Sequence, residues 1–286
     1  MEQRIRVMSH NVWNRDVNSP DWEKIGKDCS ADARISGLLQ TWRDLRPDVI
    51  GCQEVSKYIF QLLTAAATGE DMGYEAIPGC YTPLFYRKER FEKLESVFFP
   101  YPETIEGLEG SFNDVGSKSC HAVVLLDKQS GKKLVFAGTH LWWKSADPNV
   151  SIPLWYQAGS DEARAYQAGL LANTVEELAA RHGCPAVIVG DLNTGYESAA
   201  VGSLFARGFR HAHDVATEYV DETVGYHNCF PWGYEEEYWD KPFKTAIDHI
   251  LVKDFAEGAV KRFERYSPAY YLPISDHSPV FADIEL

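Results

Sequence analysis

The sequence is short of several things, and each shortage narrows what the chain can be. Its six cysteines (Cys29, Cys52, Cys80, Cys120, Cys184, Cys229) are scattered with no Cys-x-x-Cys pair, which argues against a zinc site or a disulfide framework. Buried free thiols are the expectation. No apolar run is long enough to cross a bilayer, and Met1-Glu2-Gln3-Arg4-Ile5-Arg6-Val7 opens like a charged strand rather than a signal peptide. A cytoplasmic location is expected, with secretion left open for a chain whose leader has been trimmed. Positive charge is scarce: 28 basic residues face 42 acidic ones, a formal charge of -14. Lys and Arg contacts to phosphate dominate affinity for nucleic acid, so long duplexes are poor partners for this chain. Small phosphate esters stay open, because a bound cation can neutralise them locally. Repeats, low-complexity tracts and linkers are also missing, so residues 1–286 are expected to form one domain, with 45% hydrophobic residues to fill its core.

What is present begins with Val187-Ile188-Val189-Gly190-Asp191-Leu192-Asn193. An uninterrupted β-branched run reads as a strand buried on both faces, and a carboxylate and a carboxamide stand at its carboxyl end, where α/β sheets place ligands. Several other stretches repeat that design. Ile5 to Trp13 alternates Ile5, Val7, Ser9 and Asn11 on one side, a strand presenting Asn11. Asp48 to Val55 is a short apolar run ending in Glu54, and a carboxylate there without a partner is expensive. Glu54 is therefore either a metal ligand or half of a structural salt bridge. Cys120–Leu126 and Leu134–Leu141 flank a turn-rich Asp127–Lys132, a hairpin whose second strand closes on Thr139-His140-Leu141. Thr245 to Val252 reads as a strand with Asp248 inside it, disfavoured there unless it bonds something specific. The last strand is entered through Ser275-Asp276-His277.

Helices are expected over 31–46, closed by Pro47, over 58–68, over 161–182, with Gly183 as its cap and Tyr166 on its inner face, and over 198–207. Residues 69–79 and 100–117 read as loops. Residues 142–157 carry Trp142, Trp143, Trp155 and Tyr156 around Lys144, either a substrate wall or a packed Ω-loop. Arg164 and Gln167, one turn apart, reach a ligand above the sheet or make ordinary surface pairs. Glu235-Glu236-Glu237 reads as a solvated turn.

Collected, Asn11, Glu54, His140, Asp191, Asn193, Asp248, Asp276 and His277 come from separated strand ends. Carboxylates and carboxamides without thiolates favour hard cations such as Mg²⁺ or Mn²⁺. Histidines beside them suit the negative charge of a phosphoryl transition state.

The order Asn11, Gln53-Glu54, Thr139-His140-Leu141, Gly190-Asp191-Leu192-Asn193, Ile247-Asp248 and Ser275-Asp276-His277-Ser278-Pro279-Val280 resembles the endonuclease/exonuclease/phosphatase superfamily, which includes deoxyribonuclease I. Each tetrapeptide is weak alone; six in sequence are specific. The resemblance implies an α+β, four-layer α/β/β/α sandwich, two mixed β-sheets face to face with helices outside. It implies a divalent-metal-dependent phosphoesterase using metal-activated water. Glu54 would be the principal Mg²⁺ ligand, with Asn11 and Asp276 close by. Asp191 would orient or deprotonate water and Asn193 fix its position. His277, held by Asp248, would bind phosphoryl oxygens, with His140 stabilising the phosphate or leaving group. Arg164-x-x-Gln167 and Phe85-Tyr86-Arg87 are most similar to the deadenylase-like branch and its bacterial relatives, with Arg164 and Lys144 as substrate contacts. The implied substrate is a small molecule or short single-stranded nucleic acid. Alternatives are a duplex-acting nuclease, a sphingomyelinase-like phosphodiesterase, and a binding module without catalysis. Trp13 stands where some abasic-site enzymes carry a second carboxylate, so one metal ligand of that branch is missing.

Overall fold

The computed structural model describes residues 4–219 and 246–286. In chain order the strands are β1 (Arg4–Asn11), β2 (Val49–Gln53), β3 (Tyr74–Ile77), β4 (Leu84–Arg87), β5 (Phe91–Pro100), β6 (Ser119–Asp127) and β7 (Lys133–His140). They continue with β8 (Ala186–Asp191), β9 (Arg210–His211), β10 (Glu218–Tyr219), β11 (Asp248–Lys253), β12 (Val260–Arg265) and β13 (Val280–Glu285). The helices are α1 (Pro20–Lys24), α2 (Ala31–Leu45), α3 (Lys57–Ala67), α4 (Ser160–His182), α5 (Ala199–Ala206) and α6 (Ala212–Val215).

Two mixed sheets result, ordered β10-β12-β13-β1-β2-β4-β3 and β5-β6-β7-β8-β11-β9. Each is built around a parallel pair, β1 with β2 and β7 with β8. Parallel neighbours need a long crossover, supplied by α2 in the first case and α4 in the second. Period-two alternation then sorts side chains into three apolar layers. Ile5, Val7, Val49, Val123, Phe136, Val187, Val189 and Ile250 fill the space between the sheets. Met8, Ile50 and Phe281 meet Leu38, Trp42, Ile59 and Leu63 of α2 and α3 on one outer face. Val135 and Ile188 meet Leu171, Val175 and Leu204 of α4 and α5 on the other. Each aliphatic side chain fully buried in these layers contributes roughly 1.5–3 kcal/mol. The arrangement is the α/β/β/α sandwich expected from the sequence, and β8 is buried on both faces as its run of Val and Ile requires.

The sheets approach closely beneath the ends of β2 and β7. A Cβ on Gly51 would lie 2.5 Å from Val189 Cγ2 and 3.3 Å from the Gly138 Cα. Only glycine permits that approach, which draws the carboxyl ends of the two parallel pairs together.

Some expectations change. The stretch 69–79 contains β3, because Tyr74–Ile77 pairs with β4 although its sequence has little β pattern. Phe91–Pro100 forms an edge strand. Asp248 is the first residue of β11, not an interior one, so its side chain stands at the sheet edge. Tyr166 of α4 is 44% exposed, off the inner face. Cys29, Cys52 and Cys120 are buried thiols, but Cys184 is half-buried and Cys80 exposed. The acidic triplet Glu235-Glu236-Glu237 and Cys229 lie outside the described residues.

Candidate active site

Register explains why the polar strand ends meet. Asn11 lies opposite Gln53 in the β1–β2 pair, His140 opposite Asp191 in β7–β8, and Asp191 opposite Asp248 in the antiparallel β8–β11 pair. All five chain segments therefore present their polar residues at one edge of the sandwich. Just past three of those ends the backbone enters the left-handed region, at Trp13 (φ 60°), Glu54 (φ 60°) and Asn193 (φ 50°). Such conformations cost a side-chain-bearing residue on the order of 1–3 kcal/mol each and cluster where the chain must be turned sharply toward a site.

Asp191 is the hub. Its Oδ1 accepts the Asn193 backbone N–H at 2.8 Å, and its Oδ2 accepts the Asn11 Nδ2 amide at 3.1 Å. The same Oδ2 lies 3.4 Å from His140 Nε2 and 3.8 Å from His277 Nε2. Asn11 Oδ1 takes the Trp13 N–H at 3.0 Å, which fixes the amide so that its NH₂ faces Asp191. Asn193 donates its own amide to the Leu141 carbonyl at 3.0 Å. His277 Nδ1 pairs with Asp248 Oδ2 at 2.7 Å. The turn carrying His277 is moored by Ser275, whose hydroxyl donates to the Asn11 carbonyl at 2.7 Å. Glu54 Oε2 accepts the Asn14 N–H at 2.9 Å. Asn11, Asp191 and Asp248 are 1% exposed, so this is a dry cluster in which electrostatic effects are strong.

Burial pushes the Asp191 carboxyl up to about 7, against the pull of His277. Asp276 rises to about 7 for the same reason, with Glu54 adding to the push. His277 resists burial and is held well above the ordinary imidazole range by Asp248 and Asp191. His140 goes the other way, driven well below by burial and then by Lys118. Two histidines that share Asp191 Oδ2 as a neighbour are thus shifted in opposite directions.

The donor set fits a divalent cation. Ligand atoms of Glu54, His140 and Asp191 all lie within 4.8 Å of one another. Asp276 Oδ1 is buried and has no hydrogen-bond partner among the described residues. A buried carboxylate oxygen left bare is costly, and oxygen donors of this kind suit Mg²⁺ or Mn²⁺.

Arg164 and Gln167 bond chiefly to backbone. The Arg164 guanidinium is 4% exposed and donates to the Trp142 carbonyl at 3.0 Å and to the Lys144 carbonyl, while also pairing with Asp161. Gln167 accepts the Trp142 N–H at 2.8 Å and donates to the Phe112 carbonyl at 3.0 Å. Both side chains staple the loop after His140 to α4; the terminal nitrogens of Arg164 are taken by carbonyls and Asp161, while its buried Nε has no hydrogen-bond partner among the described residues. Lys144 belongs to that loop, with its ammonium 5.5 Å from the Trp143 ring centroid. The aromatic segment closes at its neck through Ser145 N–H to the Trp155 carbonyl at 2.8 Å. Its first tryptophan is buried, while Leu154 at its far end is 79% exposed. The residue that sequence reasoning missed is Lys118, whose Nζ lies 2.7 Å from His140 Nε2. It ends an aperiodic loop, and its only sequence signal is a lone lysine at the mouth of a buried strand.

Fold and cluster together define a two-sheet α/β/β/α sandwich with a charged, partly unsatisfied centre at one edge. Comparison with known proteins says which one: a sequence model of the Endonuclease/Exonuclease/phosphatase family matches residues 8–277, and the chain belongs to that family. No curated protein matches it. Among solved structures, the endonuclease/exonuclease/phosphatase from Bacteroides vulgatus shares 23% identity at a TM-score of 0.73, with 100% of each chain covered. A mannosyl-6-phosphatase from Bacteroides thetaiotaomicron shares 21% over 97% of this chain and 98% of that one, TM-score 0.70. D. rerio TDP2 complexed with a single-strand DNA product shares 18%, with 100% of each covered and a TM-score of 0.67. At these identities the likeness shows the fold. No helix among the described residues is long and apolar enough to cross a membrane.

Proposed function

We propose that the chain is a Mg²⁺- or Mn²⁺-dependent phosphoesterase that hydrolyses a small or single-stranded phosphate ester. The observation that supports the reading is that Asp191 joins two triads of ligand atoms, one with Glu54 and His140 and one with Asp248 and His277, with the Asn11 amide bonded to it. Glu54, Asn11 and Asp276 would hold the cation, which would supply Lewis acidity and charge neutralisation to the phosphoryl oxygens. His277, between two carboxylates, donates to a phosphoryl oxygen, with Asp248 fixing its ring. Asp191 receives the proton of the attacking water, oriented through Asn193 and Asn11. His140 lies on the leaving-group side and Lys144 meets the outer part of the ester.

The mannosyl-6-phosphatase and the TDP2 bound to single-strand DNA product lend support for a small or single-stranded ester. A formal charge of -14 disfavours a duplex. The test is a panel of phosphate mono- and diesters assayed with Mg²⁺, Mn²⁺ or EDTA. Cation-dependent release from at least one small ester is expected, and silence across the panel would overturn the reading.

A further inference from the structure

Lys118 is built into the site with unusual care. Its backbone is clamped by Asn113, which is 3% exposed. The Asn113 amide donates to the Lys118 carbonyl at 2.9 Å and to the Tyr101 carbonyl at 2.6 Å, and its Oδ1 accepts the Lys118 N–H at 3.0 Å. Tyr101 N–H adds a bond to the same Lys118 carbonyl at 2.8 Å. Ser119, the next residue, is in register with His140. The side chain therefore enters the cluster from a rigid base, and Lys118 as a whole is 5% exposed.

Its ammonium has little to bind there. Nζ lies 2.7 and 3.3 Å from the two ring nitrogens of His140, its only hydrogen-bond partner among the described residues. A buried ammonium carries three donors, and one imidazole cannot satisfy them. A lysine present only to balance Glu54 and Asp191 would touch one of them, yet among the described residues it makes no ion pair within 4.0 Å. A group bearing several oxygens would complete the remaining donors.

We propose that Lys118 is a direct ligand of a non-bridging phosphoryl oxygen, acting beside His140 at the same group. This deepens the phosphoesterase reading and rests on it. Inorganic phosphate is the probe, titrated calorimetrically into the Mg²⁺-loaded protein, with steady-state kinetics on p-nitrophenyl phosphate and bis(p-nitrophenyl) phosphate alongside. Lys118→Met is expected to weaken phosphate at least about tenfold and to lower kcat/KM about 10²-fold, with Lys118→Arg recovering part of both. Should Lys118→Met not fold, Lys118→Gln takes its place. A folded variant without the charge that binds phosphate like the wild type overturns the proposal, as does a wild type that binds none. A change in thermal stability with phosphate affinity intact would make Lys118 structural and overturn it too. The two readings separate cleanly. If the wild type hydrolyses esters and Lys118→Met matches it, only the lysine assignment falls; if no ester is cleaved, the enzyme reading falls while phosphate binding still reports on Lys118.

Discussion

Two groups of histidines and acids flank strand β11, and they are made of similar parts. Asp248 points toward His277 and Asp191, whereas the next residue, His249, points to the other side and meets His211, as alternation along a strand requires. Both neighbourhoods contain three ligand-type atoms within 4.8 Å, Asp191, Asp248 and His277 in one and His211, His213 and Asp214 in the other. They differ in whether those atoms are already used. His211 Nδ1 accepts the His213 N–H at 3.3 Å, which leaves Nε2–H to donate to His249 Nδ1 at 3.1 Å. His249 Nε2–H then donates to the Thr194 carbonyl at 2.8 Å. The chain from His211 through His249 to Thr194 is hydrogen-bonded at each step, and burial lowers the pKa of both imidazoles. The cluster on the Asp191 side leaves a carboxylate oxygen bare and an ammonium half-satisfied. Residue type alone does not distinguish a site from a brace; the Asp191 side adds a buried carboxylate oxygen and a buried ammonium short of partners.

The widest separation between the two is expected in turnover. Glu54→Gln and Asp191→Asn should each lower kcat/KM about 10³-fold or more while both variants stay folded, Asp191→Asn because it removes charge from a dry cluster and Glu54→Gln because it removes a proposed cation ligand. Single-turnover assays with a responsive ester check this. Either variant retaining wild-type rates would erase the distinction between site and relay.

Asp276→Asn tests the same contrast through the cation. In the wild type, Mg²⁺ or Mn²⁺ should raise the melting temperature by mass action, and EDTA should abolish turnover. The asparagine variant should lose most of the cation-induced shift. Without cation it should be more stable than wild type by about 1 kcal/mol, since a bare buried carboxylate has been replaced by a neutral amide. An unchanged cation shift in Asp276→Asn would remove that residue from the cation's ligands.

The relay should show the reverse pattern. His211→Leu leaves the His249 Nδ1 and the His213 N–H without their partner, a loss of about 1–3 kcal/mol in stability. Turnover of the folded variant should stay within about threefold of wild type. The pH dependence of stability sharpens this. Burial lowers His249 from 6.5 to about 4 and drives His211 well below 6.5. Below pH 6.5 the unfolded chain binds protons that the folded relay refuses, so stability is full above pH 6.5 and falls as the pH drops toward 4. For His249 the loss between pH 6.5 and 5 is roughly 1.5 kcal/mol, and His211 adds to it in the same direction. Denaturant melts at several pH values should show a shallower slope in His211→Leu. An identical slope would mean that the relay does not carry the acid sensitivity.

How much of this was legible beforehand follows from physics at particular residues. Val187–Val189 shows its burial on both faces in its own composition, and α4 carries its stop at Gly183, a left-handed cap at φ 61°. Strand-end polar residues are also readable, because buried strands rarely finish on Glu or Asp without a reason. Lys118 was not, since its place depends on the Asn113 clamp, a contact with no periodic signature. Arg164 misled for a related reason. An arginine one turn from a glutamine looks the same in sequence whether it faces a ligand or the carbonyls of Trp142 and Lys144. The relay left no trace either, because His211 and His249 are 38 residues apart and pair only through the β9–β11 register.

The smallest expected effect lies at the rim, where the two regions give way to solvent. Lys144 sits in the loop stapled by Arg164 and Gln167, its ammonium 5.5 and 6.0 Å from the Trp143 and Trp142 centroids. A half-buried ammonium over aromatic faces is screened more than one inside the cluster, so its pull on an anionic ester is weak. It also touches nothing in the Asp191 network, so chemistry after binding should not depend on it. Lys144→Ala should therefore raise KM about two- to fivefold with kcat unchanged, and the difference should shrink as salt is added. A fall in kcat instead would mean that the loop orders the reacting groups, and the boundary between cluster and rim would have to be drawn further out.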